Sequence, residues 1–122
     1  MTQSLEDYLE SISFLFEEKE GTVRITDIAD RLHVSKPSVV TAMRALEQQG
    51  FIVHEHYGTI ALTRTGAKRA ALIRERHAVL TRFLREFLGV SQVVAEEDAC
   101  RIEHVLSEET LECLKTYMSA QG

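Results

Sequence analysis

Along the first twenty residues the apolar positions Leu5, Tyr8, Leu9, Ile12, Leu15 and Phe16 recur at intervals of three and four, the spacing that lines one side of an α-helix, and Ser4 stands where a cap is expected. The run Glu17, Glu18, Lys19, Glu20, Gly21 ends that helix, and Val23, Arg24 and Ile25 predict a short extended segment. A second helix is expected over residues 27–32, capped by Thr26 and burying Ile28, Ala29 and Leu32. After a turn through His33 and Val34, Ser35 starts a third helix. It accepts Pro37 in its first turn, where a missing N–H has no partner to lose, and Gly50 stops it. On this helix Val39, Ala42, Met43 and Leu46 share one face, while Pro37, Thr41, Arg44 and Gln48 share the opposite one.

Past Gly50 the period changes. Phe51, Ile52 and Val53 form one β-rich run, His56, Tyr57, Gly58 and Thr59 supply turn chemistry, and Ile60, Ala61, Leu62 and Thr63 form a second run, which predicts a hairpin. A long helix is then expected over 64–88, with Ile73, Leu80, Phe83, Leu84, Phe87 and Leu88 as its apolar side and Gly89 closing it. Two more helices fit residues 91–106 and 107–120. The pattern is mainly α with one small β-hairpin: a winged helix-turn-helix is expected over 1–64, followed by a helical domain over 65–122.

Length and composition agree with this. The chain has 122 residues, 44% hydrophobic and 27% charged, the mix of an ordinary globular protein. Its apolar runs are far shorter than the roughly 20 residues of a membrane-spanning helix, and the first ten residues have no basic stretch leading into an apolar one, so a cytoplasmic, membrane-free protein is expected. Charge adds a distinction that the total of −5 hides: residues 1–20 carry −5, residues 21–82 carry +5 and residues 83–122 carry −5. A basic middle suits an anionic partner, and acidic ends suit cations.

The basic middle is also where helix, turn, second helix and hairpin follow one another, the arrangement in which a recognition helix enters the major groove and a hairpin tip touches the backbone. Double-stranded DNA is therefore the expected partner. Ser35, Ser38 and Thr41 are short hydroxyls suited to phosphates and base edges, Pro37 offers an apolar surface to a thymine methyl, and Lys36 and Arg44 suit phosphates. Thr26 and the wing residues His56 and Tyr57 complete the expected contact set. One module is small for tight binding, so a homodimer on a palindromic operator is expected, with the apolar side of residues 64–106 forming the interface.

In the acidic C-terminal region Cys100, Glu103 and His104 stand at i, i+3 and i+4, so that three ligand-type side chains share one side of a helix. Asp7 and Glu10 are three apart on the first helix, and His77 is in register with Ile73 and Leu80. Each also has a plain structural role open to it: a solvated face for the carboxylates, a hydrogen-bonded core imidazole for His77, a small buried thiol for Cys100. The two cysteines, Cys100 and Cys113, are thirteen apart and show no CxxC spacing.

Taken together, SLEDYLESI at the start, TDIADRLHVSKPSV, the wing, RHAVLTRFL and CRIEHVLSEETL resemble the metal-dependent repressors of the diphtheria toxin repressor and manganese transport regulator type, in their short two-domain form. The resemblance implies a repressor activated by a divalent cation, with Asp7, Glu10, His77, Cys100, Glu103 and His104 as ligands by position. Asp7 and Glu10 are similar to the manganese-type pattern, which favours Mn(II). Cys100 is similar to the iron-type pattern, which makes Fe(II) the alternative, and Co(II) or Zn(II) substitutes are expected in vitro. Thr81 stands where iron-type members place a carboxylate of an ancillary site.

Other readings remain open on sequence. Cys100 beside His104 suits a redox-sensing regulator. Histidine and carboxylate ligands suit a small metalloenzyme, although no nucleophile motif accompanies them, and the chain reads as a non-enzyme. A hairpin-based protein adaptor is the third alternative.

Overall fold

The computed structural model describes residues 1–121, apart from the side chains of Gln3 and His56. Six helices and one hairpin follow in the order α1 (Gln3–Glu18), α2 (Ile25–Leu32), α3 (Lys36–Gln48), β1 (Ile52–His54), β2 (Ile60–Leu62), α4 (Arg64–Arg82), α5 (Gln92–Ile102) and α6 (Glu108–Gln121). They form two compact units that divide between Ala71 and Leu72, inside α4. Among the described residues no helix is long and apolar enough to cross a membrane.

In the first unit α1, α2, α3 and the hairpin enclose one core. Leu9, Ile12, Ile28, Val39, Met43, Leu46 and Ile60 are fully buried in it, each contributing roughly 1.5–3 kcal/mol of hydrophobic stabilisation if the side chain is large. The strands pair antiparallel, Ile52 opposite Leu62 and His54 opposite Ile60. The extended segment expected at Val23 joins them, since Ile60 N–H donates to the Val23 carbonyl at 2.8 Å. Two helix starts differ from expectation. α1 is capped by Thr2, whose hydroxyl accepts from Leu5 N–H at 3.2 Å, rather than by Ser4. α2 begins at Ile25 with Arg24 at its N-cap, and Asp27 reaches back to accept the Arg24 N–H at 2.9 Å, so Thr26 lies within the first turn and caps nothing. α2 ends on His33, which takes the left-handed conformation at φ 56°.

The first unit extends past the hairpin because the opening turns of α4 pack against it. A Cβ on Gly66 would lie 1.9 Å from the Phe51 carbonyl oxygen, so only glycine fits. Arg69 lies over the Phe51 ring at 5.5 Å and pairs with Glu6 at 3.8 Å.

In the second unit Ile73, Leu80, Ala95, Ala99, Leu111 and Met118 are buried. The long helix expected to Leu88 ends as α-helix at Arg82 and continues as one π-helical turn, Phe83–Phe87. Phe83 and Phe87 stack at 5.8 Å between ring centroids, and Phe87 meets Tyr117 at 5.9 Å. The stripe expected for dimerisation therefore divides: Leu80 is core, Phe83, Leu84 and Phe87 are half-buried, and Leu88 is exposed. Lys115 donates to Glu75 at 2.5 Å and joins α6 to α4; this hydrogen bond raises its pKa above the ordinary lysine range. A raised lysine pKa stabilises the fold while the amine is charged, so this contribution is present at neutral pH and lost only as strong alkali removes the proton.

Candidate metal centre and nucleic-acid interface

The helix expected to carry Cys100, Glu103 and His104 on one side stops at Ile102 instead of 106. Glu103 is its C-cap and His104 stands in the turn that follows. Because Glu103 keeps helical backbone angles, φ −56° and ψ −28°, the three side chains still converge, and one ligand atom from each lies within 4.8 Å of the others. Glu103 is the centre of this group, with its side chain fully buried. One carboxylate oxygen is 3.0 Å from His77 Nδ1, and the other is 3.4 Å from His104 Nε2. Arg76, whose role the sequence did not indicate, donates to the Glu103 backbone carbonyl at 3.2 Å and holds the turn on α4.

A buried carboxylate is costly unless its charge is met. Oε1 of Glu103 is buried and has no hydrogen-bond partner among the described residues. An oxygen so placed, with the His104 imidazole and the Cys100 thiol in its group and the His77 imidazole on the other oxygen of the same carboxylate, fits a first-row divalent cation: nitrogen, oxygen and sulfur donors together, with the imidazoles neutral and the thiol as thiolate. Cys100 is not in a disulfide, and neither is Cys113. The structure thus brings His77, Cys100, Glu103 and His104 together within the second unit. Asp7 and Glu10 belong to the first unit, where they stand one turn apart on α1 and are each half-buried rather than fully solvated.

The recognition surface is built on α3. Ser35 is its N-cap: the Ser35 hydroxyl accepts from Ser38 N–H at 3.2 Å and lies 2.8 Å from the Ser38 hydroxyl. Thr41 donates to the Pro37 carbonyl at 3.1 Å, which commits its proton and leaves the hydroxyl as an acceptor. Lys36, Pro37, Ser38, Thr41 and Arg44 are all exposed, while Val39, Ala42, Met43 and Leu46 anchor the opposite face. Thr26 is exposed on α2. At the tip of the wing Tyr57 is 90% exposed; the side chain of His56 lies outside the described residues.

A winged helix-turn-helix joined in one chain to a mixed-donor cluster centred on a buried carboxylate defines a DNA-binding protein that responds to metal. Residues 1–60 match the family described as iron dependent repressor, N-terminal DNA binding domain. Residues 63–120 match iron dependent repressor, metal binding and dimerisation domain. The chain belongs to the iron dependent repressor family, metal-responsive DNA-binding transcriptional regulators with a dimerisation domain. It is 42% identical over 119 residues to an uncharacterized HTH-type transcriptional regulator of Methanocaldococcus jannaschii, covering 97% of this chain and 94% of that one. It is 39% identical over 118 residues to the transcriptional regulator MntR of Escherichia coli, covering 97% of this chain and 75% of the relative. Among solved structures it superposes on the metal-dependent transcriptional regulator MtsR with a TM-score of 0.87 at 27% identity, covering 98% of this chain and 55% of that one. The manganese regulator SloR gives a TM-score of 0.85 at 26% identity, with the same coverage. The chain thus spans about half the length of these two solved proteins.

Proposed function

We propose that this protein is a homodimeric, cytoplasmic repressor of metal-uptake genes that binds a palindromic operator when loaded with Mn(II). The observation that carries this reading is Glu103, a fully buried carboxylate set between His77 and His104 beside the Cys100 thiol. In this reading Asp7 and Glu10 complete the ligand set from the DNA-binding unit. A bound cation would supply positive charge to these carboxylates and so couple metal binding to operator binding. Three hard carboxylates support manganese, whereas the thiolate supports iron, cobalt or zinc. Thr26, Ser35, Lys36, Pro37, Ser38, Thr41, Arg44, His56 and Tyr57 are proposed to meet the operator, with half-sites about 34–36 Å or multiples apart in a twofold dimer. The similarity to MntR of Escherichia coli and to a manganese regulator supports the same ion.

The test is an anisotropy titration of palindromic operator candidates with chelator, then with manganese, iron, cobalt and zinc in turn. Binding energies of two linked ligands are reciprocal, so operator must raise metal affinity by the factor that metal raises operator affinity, about 1–3 kcal/mol. Calorimetric manganese titrations that gave one affinity with and without operator would remove the mechanism. DNA binding indifferent to every metal, yet abolished by peroxide, would favour the Cys100 redox reading instead.

A further inference from the structure

The wing tip is held by a residue from outside the hairpin. Tyr57 takes the left-handed conformation at φ 67° and ψ 21°, which a tyrosine rarely adopts, and Gly58 follows at φ 76°. The turn they form is closed by Glu55 N–H donating to the Thr59 carbonyl at 2.8 Å. That bond alone does not select a left-handed tyrosine. The additional contact comes from Arg24, thirty-three residues earlier at the N-cap of α2, whose guanidinium Nη1 donates to the Tyr57 carbonyl. The same nitrogen would be 3.6 Å from a Cβ on Gly58, so the guanidinium lies directly against the turn.

The peptide unit leading into Arg24 is fixed at both of its polar groups. Its N–H is bound by Asp27, and the preceding Val23 carbonyl is bound by Ile60 of β2. The start of the helix-turn-helix and the tip of the wing are therefore joined through one side chain, while the residue it orients is 90% exposed. A guanidinium keeps its charge at every working pH and offers several donors in a fixed plane, which suits holding a carbonyl.

From this we infer that Arg24 is a positioning residue for operator binding: it holds Tyr57 in its left-handed conformation and so sets where the Tyr57 ring meets DNA. The inference rests on the reading of Tyr57 as a DNA contact. It differs from a direct phosphate role for Arg24, because the effect passes through Tyr57 and carries no counterion release of its own.

The experiment is a double-mutant cycle on the manganese-loaded protein, using Tyr57→Ala, Arg24→Ala and the pair, with operator affinity measured across a salt series. Expected are losses of about tenfold for each single variant and no further loss for the pair, with the salt slope of Arg24→Ala unchanged. Heteronuclear NMR of the DNA-free protein supplies a second readout. The strong intraresidue amide-to-α-proton cross-peak of a left-handed residue should be present at Tyr57 in the parent, lost in Arg24→Ala and largely kept in Arg24→Lys. Equal losses from Arg24→Ala with and without the tyrosine, or a salt slope smaller by about one, would make Arg24 a direct contact and overturn the inference. An unaffected Tyr57 cross-peak in Arg24→Ala would overturn it as well. If Tyr57→Ala binds operator like the parent, the wing-contact reading fails, and with it this inference. A loss in Tyr57→Ala with none in Arg24→Ala leaves the wing contact standing and removes the positioning role.

Discussion

Glu103 combines two properties that seldom coexist in one side chain, complete burial and a carboxylate oxygen without a hydrogen-bond partner among the described residues. Cys100 beside it is exposed, and so can be varied without opening the core. A thiolate prefers iron, cobalt or zinc, whereas a carboxylate at that place would add a hard oxygen of the kind manganese accepts. Cys100→Glu should therefore move the order of activating metals toward manganese and away from zinc and cobalt, while operator binding in saturating manganese persists. Operator anisotropy with each metal checks this; loss of activation by all of them, or an unchanged order, would show that Cys100 does not tune the site. Gly66 is sensitive for a steric reason. With the Phe51 carbonyl 1.9 Å from its missing Cβ, Gly66→Ala must displace backbone, and a loss of at least about 1–3 kcal/mol in chemical denaturation is expected.

Among the elements, α3 offers the clearest division of labour. Arg44 and Thr41 lie on its exposed face, but only Arg44 carries charge. Arg44→Ala should weaken binding to all sequences and lower the salt slope by about one unit, whereas Thr41→Ala should relax discrimination at one base pair and leave metal binding intact. A slope unmoved by Arg44→Ala would reject its phosphate role. The helices themselves were legible in the sequence because α1 and α3 repeat their apolar residues with the helical period, and the hairpin because Gly50 and Gly58 bracket β-rich runs. Their ends were less so. A threonine before an apolar run signals a cap, yet Asp27 caps α2 from within its first turn, which no single-residue preference reveals. The α5 end at Ile102 and the π-helical turn depend on packing, not on period. The convergence of Cys100, Glu103 and His104 was readable from their spacing and the approach of His77 only through the family resemblance, whereas the contacts of Arg24 and Arg76 join residues distant in sequence and left no trace there.

For the whole molecule, the exposed apolar residues of the second unit bear on assembly. Leu88, Val93, Val94, Val105 and Tyr117 are between 45% and 79% exposed, apolar surface that a partner subunit would cover. A dimer is expected at micromolar concentration in analytical ultracentrifugation, and a monomer both with and without manganese would refute it.

The π-helical turn at Phe83–Phe87, which closes the helix, holds one residue more than the regular α pairing that precedes it. Deleting any one of these five residues would restore that pairing, yet would turn the chain beyond it by about 100° about the helix axis. Phe87 could not then both stack on Phe83 and meet Tyr117. This stretch should consequently accept changes of side chain far more readily than changes of length, and a library of single-residue deletions scanned along α4 and this turn should show a sharp drop in folded yield here.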